Sequence, residues 1–118
     1  MASGLVVTEI QGVTIVNFRD PSILDGAAVE RLGDELYGLV DQQAKQRILL
    51  DFRQVKFLSS TMMGILMAMH KKAARIKGKV VVCGLKDSLV KVFKMMQLHK
   101  VLNLARSEEQ AISILSES

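Results

Sequence analysis

In FLSSTMMGILMAMHKK, residues 57–72, the hydroxyl residues Ser59, Ser60 and Thr61 stand between an apolar run and a Met-rich one. A serine or threonine at a helix start can do two different things. It can accept a hydrogen bond from a free helical N–H and act as a cap. It can also accept a phosphoryl group, which carries about −1.5 to −2 charge into the positive end of the helix dipole. One hydroxyl suffices for the cap, so two of the three are left to explain. The fold tolerates a phosphate at that place, but a partner packing on the same surface would have to desolvate it. Modification would then block binding without unfolding the chain.

Catalysis by these serines needs a base, and the sequence around them holds none. There is no G-x-S-x-G elbow, and neither His70 nor His99 belongs to a triad motif. A G-x-x-x-x-G-K-[ST] phosphate loop is also missing. The two histidines lie far apart with no Cys or carboxylate cluster at ligand spacing, so neither a metal nor another cofactor is expected. Cys83 is the sole cysteine, which excludes an intramolecular disulfide. In VVVC it reads as a small buried hydrophobe. The expectation is a binding module, not an enzyme.

The elements that must position the hydroxyls follow from periodicity. LVVTE and VTIVNF are β-branched runs joined through Gln-Gly, which suits a tight antiparallel hairpin. RDPSILDG is turn-rich, with Asp25 as a candidate cap for a helix over Ala27 to Val40. Ala28, Val29, Leu32, Leu36, Leu39 and Val40 form its apolar side, while Gly33 and Gly38 weaken it. RILLDF is a nearly continuous apolar run and Val80 to Cys83 a continuous one, as expected for strands covered on both faces. A helix over Met62 to Ile76 lies between them. Asp87 or Ser88 is expected to cap a third helix with Leu89, Val92, Phe93 and Met96 inward. VLNLA reads as a last strand, and Ser107 with Gln110 as the capping box of a terminal helix bearing Ala111, Ile112 and Leu115. The order β-β-α-β-α-β-α-β-α predicts an α/β fold with a mixed sheet, parallel after its first strands.

On the helix after Thr61, the spacing predicts a core stripe of Met63, Leu66, Met67, His70 and Ala74. Met62, Ile65 and Met69 fall on another side, ahead of Lys71 and Lys72. Such an apolar patch reads as a protein-binding surface, for which flexible methionine is well suited. A covering loop or a second copy of the chain, as a homodimer, would explain it equally.

The chain as a whole is expected to be one domain, 1–118, since 118 residues can bury a single sizeable core. It is 49 % hydrophobic and 24 % charged. Its first residues lack a basic n-region, and no stretch approaches the ~20 apolar residues of a membrane span. A cytoplasmic location follows as the expectation. Net charge is +4 from 16 basic and 12 acidic residues. The bases between Lys71 and Lys100 alternate with apolar residues at helical spacing, and aromatics are only 4 %. That reads as a solvated face, or one that attracts an acidic protein, and not as a nucleic-acid surface.

RILLDFRQVKFLSSTMMGILMAMHKKA, followed by GKVVVCGL and KVFKMMQLHKVLNLARSEEQAI, resembles the STAS domains, and among them the bacterial anti-sigma factor antagonists. The resemblance covers almost the whole chain. It implies a mixed sheet of about five strands with about four helices, packed mainly on one side. In that family D-S-S-G-L-G opens the helix, and its first serine is phosphorylated by an anti-sigma factor that is itself a serine kinase. The unphosphorylated antagonist binds that kinase and frees the sigma factor, and a serine phosphatase resets the cycle. Aligned on Gly64, the phosphoacceptor is Ser60, with Ser59 and Thr61 as fallbacks. Asp25 resembles the acidic residue presented beside the switch serine. The family's Asp is Ser59 here and its first Gly is Met62, which removes a carboxylate and adds bulk. The implied partner surface is Asp25, Ser59, Ser60, Thr61, Met62, Met63, Ile65 and Met69. Two alternatives stay open: a STAS scaffold subunit of a signalling or lipid-transport assembly in which the hydroxyls only cap, and, by fold analogy alone, a small-ligand or nucleotide-binding domain.

Overall fold

The structure, a computed structural model, describes residues 4–20, the backbone of 22–23, and residues 26–116. Its elements are β1 Leu5–Ile10, β2 Val13–Phe18, β3 Ser22–Ile23, α1 Gly26–Asp41, β4 Arg47–Asp51, β5 Phe57–Leu58, α2 Ser60–Arg75, β6 Lys79–Cys83, α3 Asp87–Met95, a 3-10 turn Leu98–Lys100, β7 Asn103–Ala105 and α4 Glu108–Ser116. Gln11 (φ 54°) and Gly12 (φ 81°) are both left-handed. That is the requirement of a two-residue hairpin turn, and β1 and β2 close on the pair Ile10↔Val13. Asp25, proposed above as a helix cap, lies outside the described residues.

The main sheet has the order β1-β2-β4-β6-β7, and only β1 runs antiparallel to its neighbour. Strands alternate their side chains between faces, which is why RILLD and KVVVC carry no polar break. Ile48, Leu50, Val80 and Val82 meet α1, α2 and α3 on one face. Leu49, Val81 and Cys83 meet Ala111 and Leu115 of α4 on the other. Successive crossovers in one direction and of one hand put three helices on the same side. α4, which follows the last strand, returns across the opposite face. Ser107 starts it as expected: its Oγ accepts from the Gln110 N–H (3.1 Å), and Gln110 Oε1 accepts from the Arg106 N–H (2.6 Å).

The α2 stripe needs correction. Met62, Met63, Leu66, Met69 and Ala73 are buried, Met67 and His70 are half-buried, and Ala74 is exposed. The core side is therefore turned by about one position from the predicted one. Nor do Met62, Ile65 and Met69 form an exposed patch: Met62 and Met69 are fully buried and Ile65 is half-buried. The cause is α1, which packs along α2 while the sheet packs beneath it. Gly33 permits that approach, because a Cβ there would stand 2.9 Å from Ile65 Cδ1. The helix is apolar on two sides because two neighbours cover it.

Smaller differences lie in α3. Its N-cap is Lys86, with no side-chain cap bond, and Asp87 is the first helical residue. Leu89 and Phe93 point inward, whereas Met96 is 47 % exposed. Two-residue strands β3 and β5, absent from the expected order, pair in parallel as Ser22↔Phe57 and Ile23↔Leu58.

Candidate functional site

Every parallel strand of the main sheet leads to a helix at the same end of the sheet. β2 leads to α1, β4 to α2, β6 to α3 and β7 to α4. Four helix N-termini, with their positive dipole ends, thus face one end of the molecule. The hydroxyl cluster sits at one of them.

The loop from β4 to α2 is tied down in steps. Phe52 N–H donates to the Cys83 carbonyl (2.9 Å), and Val55 N–H donates to the Phe52 carbonyl (2.9 Å). The Phe52 ring stacks edge-on between Phe18 (4.7 Å) and Phe93 (6.4 Å). Asp51, only 2 % exposed, closes the loop from below. Its carboxylate accepts from the Arg53 backbone N–H (3.0 Å) and from Arg53 Nε (2.9 and 3.1 Å), and pairs with the second guanidinium arm at 2.8 Å. The hydrogen bonds and charge of Asp51 raise the Arg53 pKa above its ordinary value. Gly84 (φ 73°) makes room, since a Cβ would lie 2.5 Å from Arg53 Cγ and 2.9 Å from its backbone nitrogen. Lys86 Nζ donates to the Arg53 carbonyl (2.7 Å). Burial, and then the charges of Asp51 and Glu108, push the neighbouring Cys83 thiol up to about 12. It is a core residue, as VVVC suggested.

Past this clamp, the β3–β5 pairing holds residues 57–58, and Ser59 ends the loop. Ser59 has extended backbone (φ −78°, ψ 158°), and its Oγ accepts from the Met62 N–H at 3.1 Å. It is the N-cap. Ser60 and Thr61 occupy the first helical positions and are exposed. The first turn carries no acidic residue, and none occurs in sequence from Phe52 to Lys86. A phosphate on Ser60 would meet the helix dipole without a carboxylate nearby in the chain.

Of the expected site residues, Ser59, Ser60 and Thr61 come together here. Met62, Met63 and Met69 lie beneath them in the core and offer no surface. Two exposed neighbours escaped the sequence reading. Phe57 is 56 % exposed immediately before the cluster; a lone aromatic between Lys56 and Leu58 reads as part of the apolar run. Gly64 lies one turn after Ser60 on the same face, exposed, and a Cβ there would meet nothing within 4 Å. A glycine that its own fold does not require was the available signal.

The comparisons with known proteins agree with this geometry. The family model of the STAS domain matches residues 5–111. A candidate anti-sigma factor antagonist of Bordetella bronchiseptica, BtrV, is 26% identical over 107 residues, covering 91% of this chain and 90% of its own. The solved anti-sigma-factor antagonist (STAS) domain protein of Planctomyces limnophilus superposes with a TM-score of 0.84 at 20% identity, over 98% of this chain and 99% of its own. The Bacillus cell-fate determinant SpoIIAA, solved in its phosphorylated form, gives 0.70 at 20% identity, over 92% and 96%. The hairpin, the mixed sheet, the capped serine loop and the family match over nearly the full length lead to one assignment: this chain belongs to the STAS domain family.

Proposed function

We propose that this chain is a phosphorylation-controlled protein-binding module of the anti-sigma factor antagonist type. Its partner is an anti-sigma factor that is a serine kinase, and a serine phosphatase reverses the modification. The chain regulates sigma-factor-dependent transcription through that partner, without touching nucleic acid and without catalysing a reaction of its own. The observation that carries this reading is the division of labour at the cluster. Ser59 caps α2, so the adjacent Ser60 hydroxyl is exposed and has no structural task there. The family's Asp is replaced by a residue that also caps, so its loss removes a charge and not the helix start.

The partner surface in this reading is Asp25, Ser60 and Thr61, extended by Phe57, Gly64 and the half-buried Ile65. Asp25 is included as the acidic residue that the family presents beside the switch serine. Met62, Met63 and Met69 support the surface from below. Binding of the unmodified form buries the first turn of α2. A phosphate on Ser60 would have to be desolvated there, so the modified form is released.

The test is incubation with the kinase-type anti-sigma factor encoded nearest this chain and ATP, followed by intact mass and site mapping. A single phosphate on Ser60, absent in Ser60→Ala, is the expected result. No phosphate, or one on Ser59, would refute Ser60 as the switch.

A further inference from the structure

The charge of this chain is strongly divided. Residues 52–107 contain 12 of the 16 lysines and arginines and a single acid, Asp87. α1 has the opposite sign, with Glu30, Asp34, Glu35 and Asp41 against Arg31. α2 of the basic region packs on α1, with Lys72 Nζ 2.8 Å from Asp41 Oδ2, but the strand order sets α3 apart: α1 leads from β2 to β4 beside β1, and α3 leads from β6 to the far edge strand β7.

Each region also shows apolar surface. α3 ends in Met95 (82 % exposed) and Met96 (47 % exposed), with Lys91 and Lys94 exposed beside them. At the other edge, a groove of about 270 Å³ runs between β1 and α1. Leu5, Val7 and Leu39 line it, with Asp34, Gly38 and Gln42 on the α1 side. Val7 is 45 % exposed there. Unbranched methionine side chains adapt to an irregular groove, and lysines beside them match an acidic wall.

We propose that the α3 end of one copy docks in the β1–α1 groove of a second copy of this chain. The two surfaces differ and lie toward opposite edges, so the contact is heterologous. It does not close with two copies and adds molecules in a row. A lipid surface suits the α3 end less well. Of the other apolar residues of α3, Leu89 and Phe93 are in the core and Val90 and Val92 are half-buried, which leaves two exposed methionines where an interfacial helix needs a full apolar face. Ser60 belongs to neither surface, so this association stands independently of the switch.

Sedimentation equilibrium of the full chain over a wide concentration range tests it. The average mass is expected to rise above that of one copy at low salt and to fall as salt is added. Met95→Glu places an acid against the acidic groove. Gly38→Arg fills the groove, and its Cβ has space, the nearest atom being Gln42 Oε1 at 3.6 Å. Each variant alone is expected to remain a single copy. Mixed in equal amounts they retain one intact surface each, and are expected to form a two-copy complex that does not grow. A wild type that stays single at every concentration would overturn the proposal. So would association that survives Met95→Glu, or a mixture that does not pair.

Discussion

At the scale of single residues, Ser59 and Ser60 are neighbours with separate tasks. Ser59 satisfies the Met62 N–H, one of the donors left free at a helix start. Ser59→Ala should therefore cost about 1 kcal/mol of stability, as N-cap removal does elsewhere. Ser60→Ala, at an exposed position without that bond, should stay within about 0.5 kcal/mol of wild type. Urea unfolding of both variants checks this, and equal losses would mean that the cap is misassigned. The cluster itself was legible, because three hydroxyls before a helical apolar pattern mark a start signal. Which of them caps was not, since the choice depends on where the backbone turns from extended to helical. Asp51 was equally opaque. A carboxylate closing an apolar run says nothing of the arginine that folds back onto it.

At the scale of elements, the legible parts are those with enough residues to show a period or a paired signal. The Gln-Gly hairpin, the apolar runs of β4 and β6, and the Ser107–Gln110 box needed no tertiary information. β3 and β5 have two residues each and no period at all. The face of α2 failed for a different reason. Its methionines and isoleucine spread round the helix, and only the approach of α1 over Gly33 decides which are covered. Gly64 is the converse case, a helical glycine with open space above it. Gly64→Ala should raise stability by up to about 1 kcal/mol. Gly64→Phe should fold normally and lose the partner, because the bulk rises on the Ser60 face. Thermal unfolding and partner titration separate the two effects, and undiminished binding by Gly64→Phe would remove this face from the interface.

At the scale of the whole molecule, the parallel strands gather the helix starts at one end. The net charge of +4 hides a division that composition cannot show, between an acidic α1 and a basic stretch from Arg53 to Arg106. That division was half-visible as the basic run from Lys71 to Lys100; its acidic counterpart emerged only once the sheet order set α1 and α3 apart. The capped end of the molecule carries the central claim. The measurement that tests it most directly is calorimetric titration of the kinase-type anti-sigma factor with wild type, Ser60→Ala and Ser60→Asp. The account predicts that wild type and Ser60→Ala bind alike, and that Ser60→Asp, folded to the same degree by circular dichroism, loses binding at least tenfold, about 1.4 kcal/mol. Binding of Ser60→Asp as tight as that of wild type would contradict it.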